Sequence, residues 1–187
     1  MTRMIPAPAE RYEPLYGEAA PLVLRIYANQ PKLAKAITSM TETVLFGGEL
    51  SPRLVELVRL RIAFHNQCRS CMALRNSPGA EAGVDEDLIC SLERPQDAED
   101  LSADERAALA YADLMATNHL AIDDRTYSGL RQHFTEPEIV ELGLICAVCV
   151  GTGRLAASWD MVDDLPEYFH MRDAIITPWG AGTALAE

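Results

Sequence analysis

Pro52-Arg53-Leu54-Val55-Glu56-Leu57-Val58-Arg59-Leu60-Arg61-Ile62-Ala63-Phe64-His65 runs into Asn66-Gln67-Cys68-Arg69-Ser70-Cys71. Ser51 stands before it as an N-cap, and Pro52 takes the first helical position, where a missing N–H costs nothing. On a helix, the apolar side chains between Leu54 and Phe64 cover nearly the whole circumference. A helix that is apolar all round is buried in a bundle or an oligomer. Glu56 lies on the strip with Leu60 and Ala63, so it faces low-dielectric surroundings. A charge there is costly unless it is paired or hydrogen-bonded. Arg53 and Arg59, three residues to either side, are the local candidates for pairing.

Outward from this stretch the chain reads as helices, which predicts an all-α bundle. Residues 21–29 and 31–46 form two helices split at Pro31, and Gly47-Gly48 stops the second. Beyond the break at Asn66 and Gln67, a helix is expected from Cys68 to about Ala82, ending at Gly83. Asp85 caps a short helix to Leu92, and residues 93–100 are a polar loop. Two capping boxes, Ser102 with Glu105 and Thr135 with Glu138, open helices to about Asn118 and about Asp160. Asp123 caps a helix between them, to about His133. The chain, 1–187, reads as a single domain with a core of about residues 20–160 and a tail from Pro166 to Glu187. Gly180 and Gly182 mark that tail as loosely packed or dependent on a partner. Covering both the 52–65 helix and the apolar helix from Ile139 to Val150 calls for partner subunits.

The bulk composition narrows the function classes. Sixteen basic and 28 acidic residues give a net charge of −12. Such a surface repels phosphate backbones and anionic lipid, which argues against nucleic-acid and membrane partners. Met1 to Arg11 contains no apolar targeting core. The longest apolar stretch, Ile139 to Gly151, is interrupted by Glu141 and is too short to span a bilayer. The expected location is the cytoplasm.

Five cysteines are present: Cys68, Cys71, Cys90, Cys146 and Cys149. An odd number argues against a structural disulfide framework. Cys68-Arg69-Ser70-Cys71 puts two thiols on one face at the start of a helix, within reach of a disulfide. Free N–H groups and the helix dipole there stabilise a thiolate, and Arg69 and Arg75 add positive potential. A redox pair, two core cysteines and half of a zinc site all fit this spacing. Zinc needs two further ligands, for which His65 and His119 are available. Cys146 and Cys149 share the spacing but sit in mid-helix among apolar residues, where cysteine behaves as a small hydrophobe. Cys90, after Leu88-Ile89, is also read as buried packing.

Glu56, eleven intervening residues and the pair Cys68/Cys71 resemble the signature of alkylhydroperoxidase D-like proteins in the carboxymuconolactone decarboxylase superfamily. Gly47 to Arg53, Glu56 to Arg61, Asn66 to Cys68, and Glu105-Arg106-Ala107 to Tyr111-Ala112 agree with it, so the resemblance spans about residues 20–160. It implies an all-helical alkylhydroperoxidase D-like homo-oligomer, a trimer or hexamer. It assigns Cys71 as the sulfenic-acid-forming nucleophile, Cys68 as its resolving partner and Glu56 to the proton relay. The family's histidine four residues after the second cysteine is Arg75 here. Arginine stays charged and passes no proton, but one helical turn from Cys71 it would stabilise a thiolate. His65, three residues before Cys68, is either a substitute relay or an ordinary helix-end histidine.

The expected function is therefore a thiol-dependent peroxidase or disulfide reductase, an enzyme that reduces a hydroperoxide substrate through its C-x-x-C pair. An external dithiol or thiol protein would donate the electrons, with no flavin, haem or metal cofactor. The alternative is a non-redox member of the same fold, a decarboxylase-like enzyme or a binding protein for small organic acids. Arg75 would then hold a carboxylate bidentately.

Overall fold

The structure is a computed structural model that describes residues 2–171, 173–179 and 185–186, the last pair by backbone alone. The elements run α1 (Ala9–Tyr16), α2 (Leu22–Tyr27), α3 (Pro31–Phe46), α4 (Pro52–His65), α5 (Arg69–Ala73), β1 (Leu74–Arg75), α6 (Ser77–Glu81) and α7 (Glu86–Cys90). After these come α8 (Ala103–Thr117), α9 (Asp124–Leu130), α10 (Glu136–Trp159) and β2 (Leu185–Ala186). The fold is helical, with α4 at its centre between α8 and α10. The caps form as the sequence indicates. Ser51 Oγ accepts from the Leu54 N–H, Asp85 from the Leu88 N–H, and Ser102/Glu105 and Thr135/Glu138 close capping boxes.

Leu57, Val58, Leu60 and Ile62 on α4 have no exposed surface. The chain's own α8 and α10 cover them, so α4 needs no partner subunit for its burial. The α10 helix differs: Val140, Leu144 and Leu155 stay exposed. It runs well beyond the apolar stretch 139–151, and its 24 residues are long and apolar enough to cross a membrane by length and composition. Here it packs inside the bundle, burying Ile139, Leu142, Ile145 and Cys146. Glu141, which interrupts the apolar run, turns to the 47–50 bend. Its carboxylate accepts from the Glu49 N–H at 2.8 Å and from the Leu50 N–H at 3.1 Å.

The continuous helix expected over 68–82 does not form. It is broken into α5, the extended pair Leu74–Arg75, and α6. Pro78 explains the break. A proline ring clashes with the carbonyl four residues earlier, here that of Leu74, and supplies no N–H to it. The Leu74 carbonyl accepts instead from Arg59 Nη2 at 2.8 Å. Residues 74 and 75 then pair in parallel with Leu185 and Ala186. Within the tail, two residues anchor on the core: Phe169 and Ile176 are buried against Ala63, Met72 and Ala73. Gly180 and Gly182, on which the expectation of a loose tail rested, lie outside the described residues. The α1 helix has no counterpart in the sequence reading. Cys90 is exposed, not core packing.

Candidate active site

The cysteine pair sits where α4 hands over to α5. Gln67 makes the turn with φ +50°, a left-handed conformation that non-glycine residues keep only where their surroundings hold it. Its own side chain supplies the hold. Nε2 donates to the carbonyls of Phe64 (2.7 Å) and Ile176 (3.0 Å), and Oε1 accepts from the Ile176 N–H at 3.0 Å. Cys68 then caps α5, its sulfur accepting from the Cys71 N–H at 3.3 Å. The two sulfurs are at disulfide-bonding distance, with the Cα atoms 5.2 Å apart. Cys68 is fully buried. Cys71 is partly open and lines a cavity of about 600 Å³.

Glu56 and Arg59 form the charged support beneath the pair. Both are buried, and the guanidinium grips the carboxylate twice, Nε to Oε2 at 2.8 Å and Nη2 to Oε1 at 2.7 Å. The Asn76 N–H donates to Glu56 Oε1 at 3.1 Å. Arg59 also donates to the Cys71 carbonyl through Nη1 at 2.8 Å. One ion pair thus ties α4 to both ends of the α5–Asn76 segment. Arg53, the other pairing candidate, reaches Glu105 instead. Gly79 makes room for this arrangement: a Cβ there would lie 2.6 Å from Glu56 Cβ.

The remaining site residues proposed from sequence go elsewhere. Breaking the helix at Leu74 carries Arg75 off the face of Cys71. Arg75 is clamped by Glu86 at 2.8 Å and by the carbonyls of Met72 and Pro178, and it takes no part in lining the cavity. It neither flanks the nucleophile nor offers a free fork to a carboxylate. His65 Nε2 lies 2.7 Å from Asp113 Oδ1, beside Arg61, on the side of α4 that packs against α8. It too is absent from the cavity wall. Burial pushes the Asp113 carboxyl up, but the hydrogen bonds from His65 and Arg61 outweigh it and hold the group below its ordinary value. Among the described residues no cluster of metal-ligand side chains surrounds the cysteines, and the zinc alternative loses His65 to Asp113.

Three lining residues were missed. Arg59 was visible only as a partner for Glu56, three residues away, and not as a group beside Cys71. Cys149 is a free thiol in the wall of the same cavity. Burial pushes its pKa up to about 11, against the pull of Arg59, so it is protonated at neutral pH. Cys146 is buried and is raised further by the same cause. Tyr16, from α1, lies in the opposite wall and carries no sequence signal, because it belongs to a short helix with no capping residue. The α5 helix has only five residues, so its macrodipole is small. Among the described residues lining the cavity with Cys71, Arg59 is the basic one.

A helical bundle that presents one cysteine of a C-x-x-C pair to an apolar cavity defines the class: an all-α protein with a disulfide-forming pair. Comparison with known proteins narrows this. Residues 31–114 match the model of the carboxymuconolactone decarboxylase family. An uncharacterized protein of Mycobacterium tuberculosis is 39% identical over 95 residues, 50% of this chain. The match spans about a third of that protein's own length, 33%. The alkylhydroperoxidase AhpD core of a peroxidase-related protein from Ralstonia eutropha JMP134 superposes with a TM-score of 0.63. It has 20% identity and covers 79% of this chain and 78% of its own. The debrominase Bmp8, solved as a cysteine-to-alanine variant with 2,3,4-tribromopyrrole, gives a TM-score of 0.70 at 18% identity, covering 86% and 90%. These structures share the fold. The chain thus shares its fold with alkylhydroperoxidase D-like proteins, and its residues 31–114 resemble the carboxymuconolactone decarboxylase family.

Proposed function

We propose that the protein is a dithiol-dependent reductase of hydroperoxides, with Cys71 as nucleophile and Cys68 as resolving thiol. The unequal exposure of the two sulfurs carries this reading: Cys71 faces a cavity, and Cys68 is sealed behind it. In the reduced protein the Cys71 thiolate attacks the outer oxygen of the hydroperoxide. The O–O bond breaks, the alkoxide takes up a proton and leaves as an alcohol, and Cys71 becomes a sulfenic acid. The Cys68 thiol then attacks that sulfur, water leaves, and the pair reaches the joined state described above. An external dithiol returns two electrons by thiol–disulfide exchange.

Arg59 stabilises the thiolate and holds the α5 backbone, and Glu56 fixes Arg59 in turn. With Glu86 occupying Arg75, the carboxylate-binding alternative loses the residue on which it rested. Other electrophiles remain open to the same thiolate, as the debrominase among the fold relatives suggests. The test is turnover of hydrogen peroxide, cumene hydroperoxide and a bromopyrrole with dithiothreitol or dihydrolipoamide as donor. Hydroperoxide turnover in the wild type that is abolished in Cys71→Ser supports the reading. Equal turnover in Cys71→Ser overturns it.

A further inference from the structure

The cavity beside Cys71 is larger than a peroxide group needs. At about 600 Å³, it falls within the range of small-molecule sites, which hold whole organic ligands. One wall comes from α10 and the α4–α5 junction, through Cys149, Gly153, Ala63 and Cys71. The other comes from Tyr16, Leu22, Val23 and Tyr27. These four precede residue 31, where the match to the family model begins. The chain therefore closes the cavity with a segment outside that match.

Most polar groups on this wall are already occupied. The hydroxyls of Thr38, Thr41 and Thr152 donate to carbonyls of their own helices, those of Ala34, Ile37 and Val148. Asp164 pairs with Arg25, and Arg59 with Glu56. Tyr16 Oη differs. It is buried and has no hydrogen-bond partner among the described residues. A buried hydroxyl left unpaired is destabilising, and a bound molecule with a polar head would satisfy it. Two carboxylates, Glu42 and Asp164, also line the cavity, and the one cation beside Cys71 is engaged by Glu56. The surroundings are unfavourable to a negatively charged ligand.

We infer that this cavity binds an uncharged, largely apolar organic molecule with one oxygen head group, and that Tyr16 is the specificity residue hydrogen-bonding that head. The inference rests on the proposed thiol chemistry only for the identity of the head, a hydroperoxyl in the substrate and a hydroxyl in the product. Burial raises the Tyr27 hydroxyl above its ordinary value, with a contribution from Tyr16, which agrees with an apolar lining.

Two readouts test it separately. Calorimetry measures binding of 2-phenyl-2-propanol, the alcohol left by cumene hydroperoxide, and of the carboxylate analogue 2-hydroxy-2-phenylpropanoate. Kinetics measures the ratio of kcat/KM for cumene hydroperoxide to that for hydrogen peroxide. The expected results are binding of the alcohol but not the carboxylate, and a ratio favouring cumene hydroperoxide. Tyr16→Phe should weaken alcohol binding and lower the ratio about fivefold, the value of one neutral hydrogen bond, mainly through KM. Tyr12→Phe, on the same helix but off the cavity, should change neither. Val23→Trp, which fills the apolar space, should abolish alcohol binding. If the carboxylate binds as well as the alcohol, or Tyr16→Phe leaves binding and ratio intact, the inference fails and the thiol chemistry stands. If the alcohol binds as described but no hydroperoxide is consumed, the proposed reaction fails and the binding site stands.

Discussion

Glu56 and Arg59 are the residues whose energetics decide whether the cysteine pair keeps its geometry. Their side chains are only 2% and 6% exposed, and each would be costly to bury alone. Glu56→Gln keeps the shape but removes the charge that neutralises Arg59. The expected loss is about 3 kcal/mol of stability, read from the urea midpoint, and Glu56→Gln/Arg59→Met should recover part of it. A loss below about 1 kcal/mol would show that the pair contributes little. The pairing was legible in the sequence, since a lone carboxylate on an apolar helix needs a cation one turn away. The place of Arg75 was not legible in the same way. It depended on a helix continuing past Leu74, and Pro78 ends that helix. Proline was visible, but where the freed backbone would turn depended on carbonyl acceptors claimed by Arg59, a residue on another helix.

At the scale of elements, α4 works as the common wall between core and site. One side carries Glu56 and Arg59 toward α5, and another carries Arg61 and His65 toward Asp113 on α8. Burial raises the Asp113 carboxyl and its bonds with His65 and Arg61 lower it further, leaving it below the ordinary value of 3.8. Stability from such a group is complete above its unfolded value and is lost as pH falls through the folded one. Acid unfolding should therefore steepen below about pH 4, and Asp113→Asn should flatten that limb in a stability-versus-pH series. An unchanged acid limb would place the proton uptake elsewhere. Helix starts were legible wherever a short polar side chain precedes an apolar run, as at Ser51, Ser102 and Thr135. The α1 helix was hidden because Pro8 stands at its N-cap without a side-chain cap, Pro14 lies inside it, and it buries none of its own residues.

At the scale of the molecule, burial of α4 within the chain removes one reason to expect partner subunits and leaves another. Val140, Leu144 and Leu155 are 61%, 52% and 43% exposed along α10, and Leu33, Met40 and Phe46 are exposed on α3. A homo-oligomer that covers the α10 strip is the expected state in solution, measured as a multiple of the chain mass by light scattering. Val140→Glu/Leu144→Glu should shift it to the monomer, and a wild-type monomer would refute the expectation. The fold class was legible from helical periodicity and capping. The cavity was not, because residues 16–27, 38–46 and 148–165 meet only in three dimensions.

The most direct test is a thiol count with peptide mapping on the fully reduced protein, before and after one equivalent of hydroperoxide at neutral pH. The account predicts a fall from five free thiols to three, a Cys68–Cys71 disulfide, and Cys90, Cys146 and Cys149 left unmodified. Retention of both thiols at positions 68 and 71 under that treatment would contradict it.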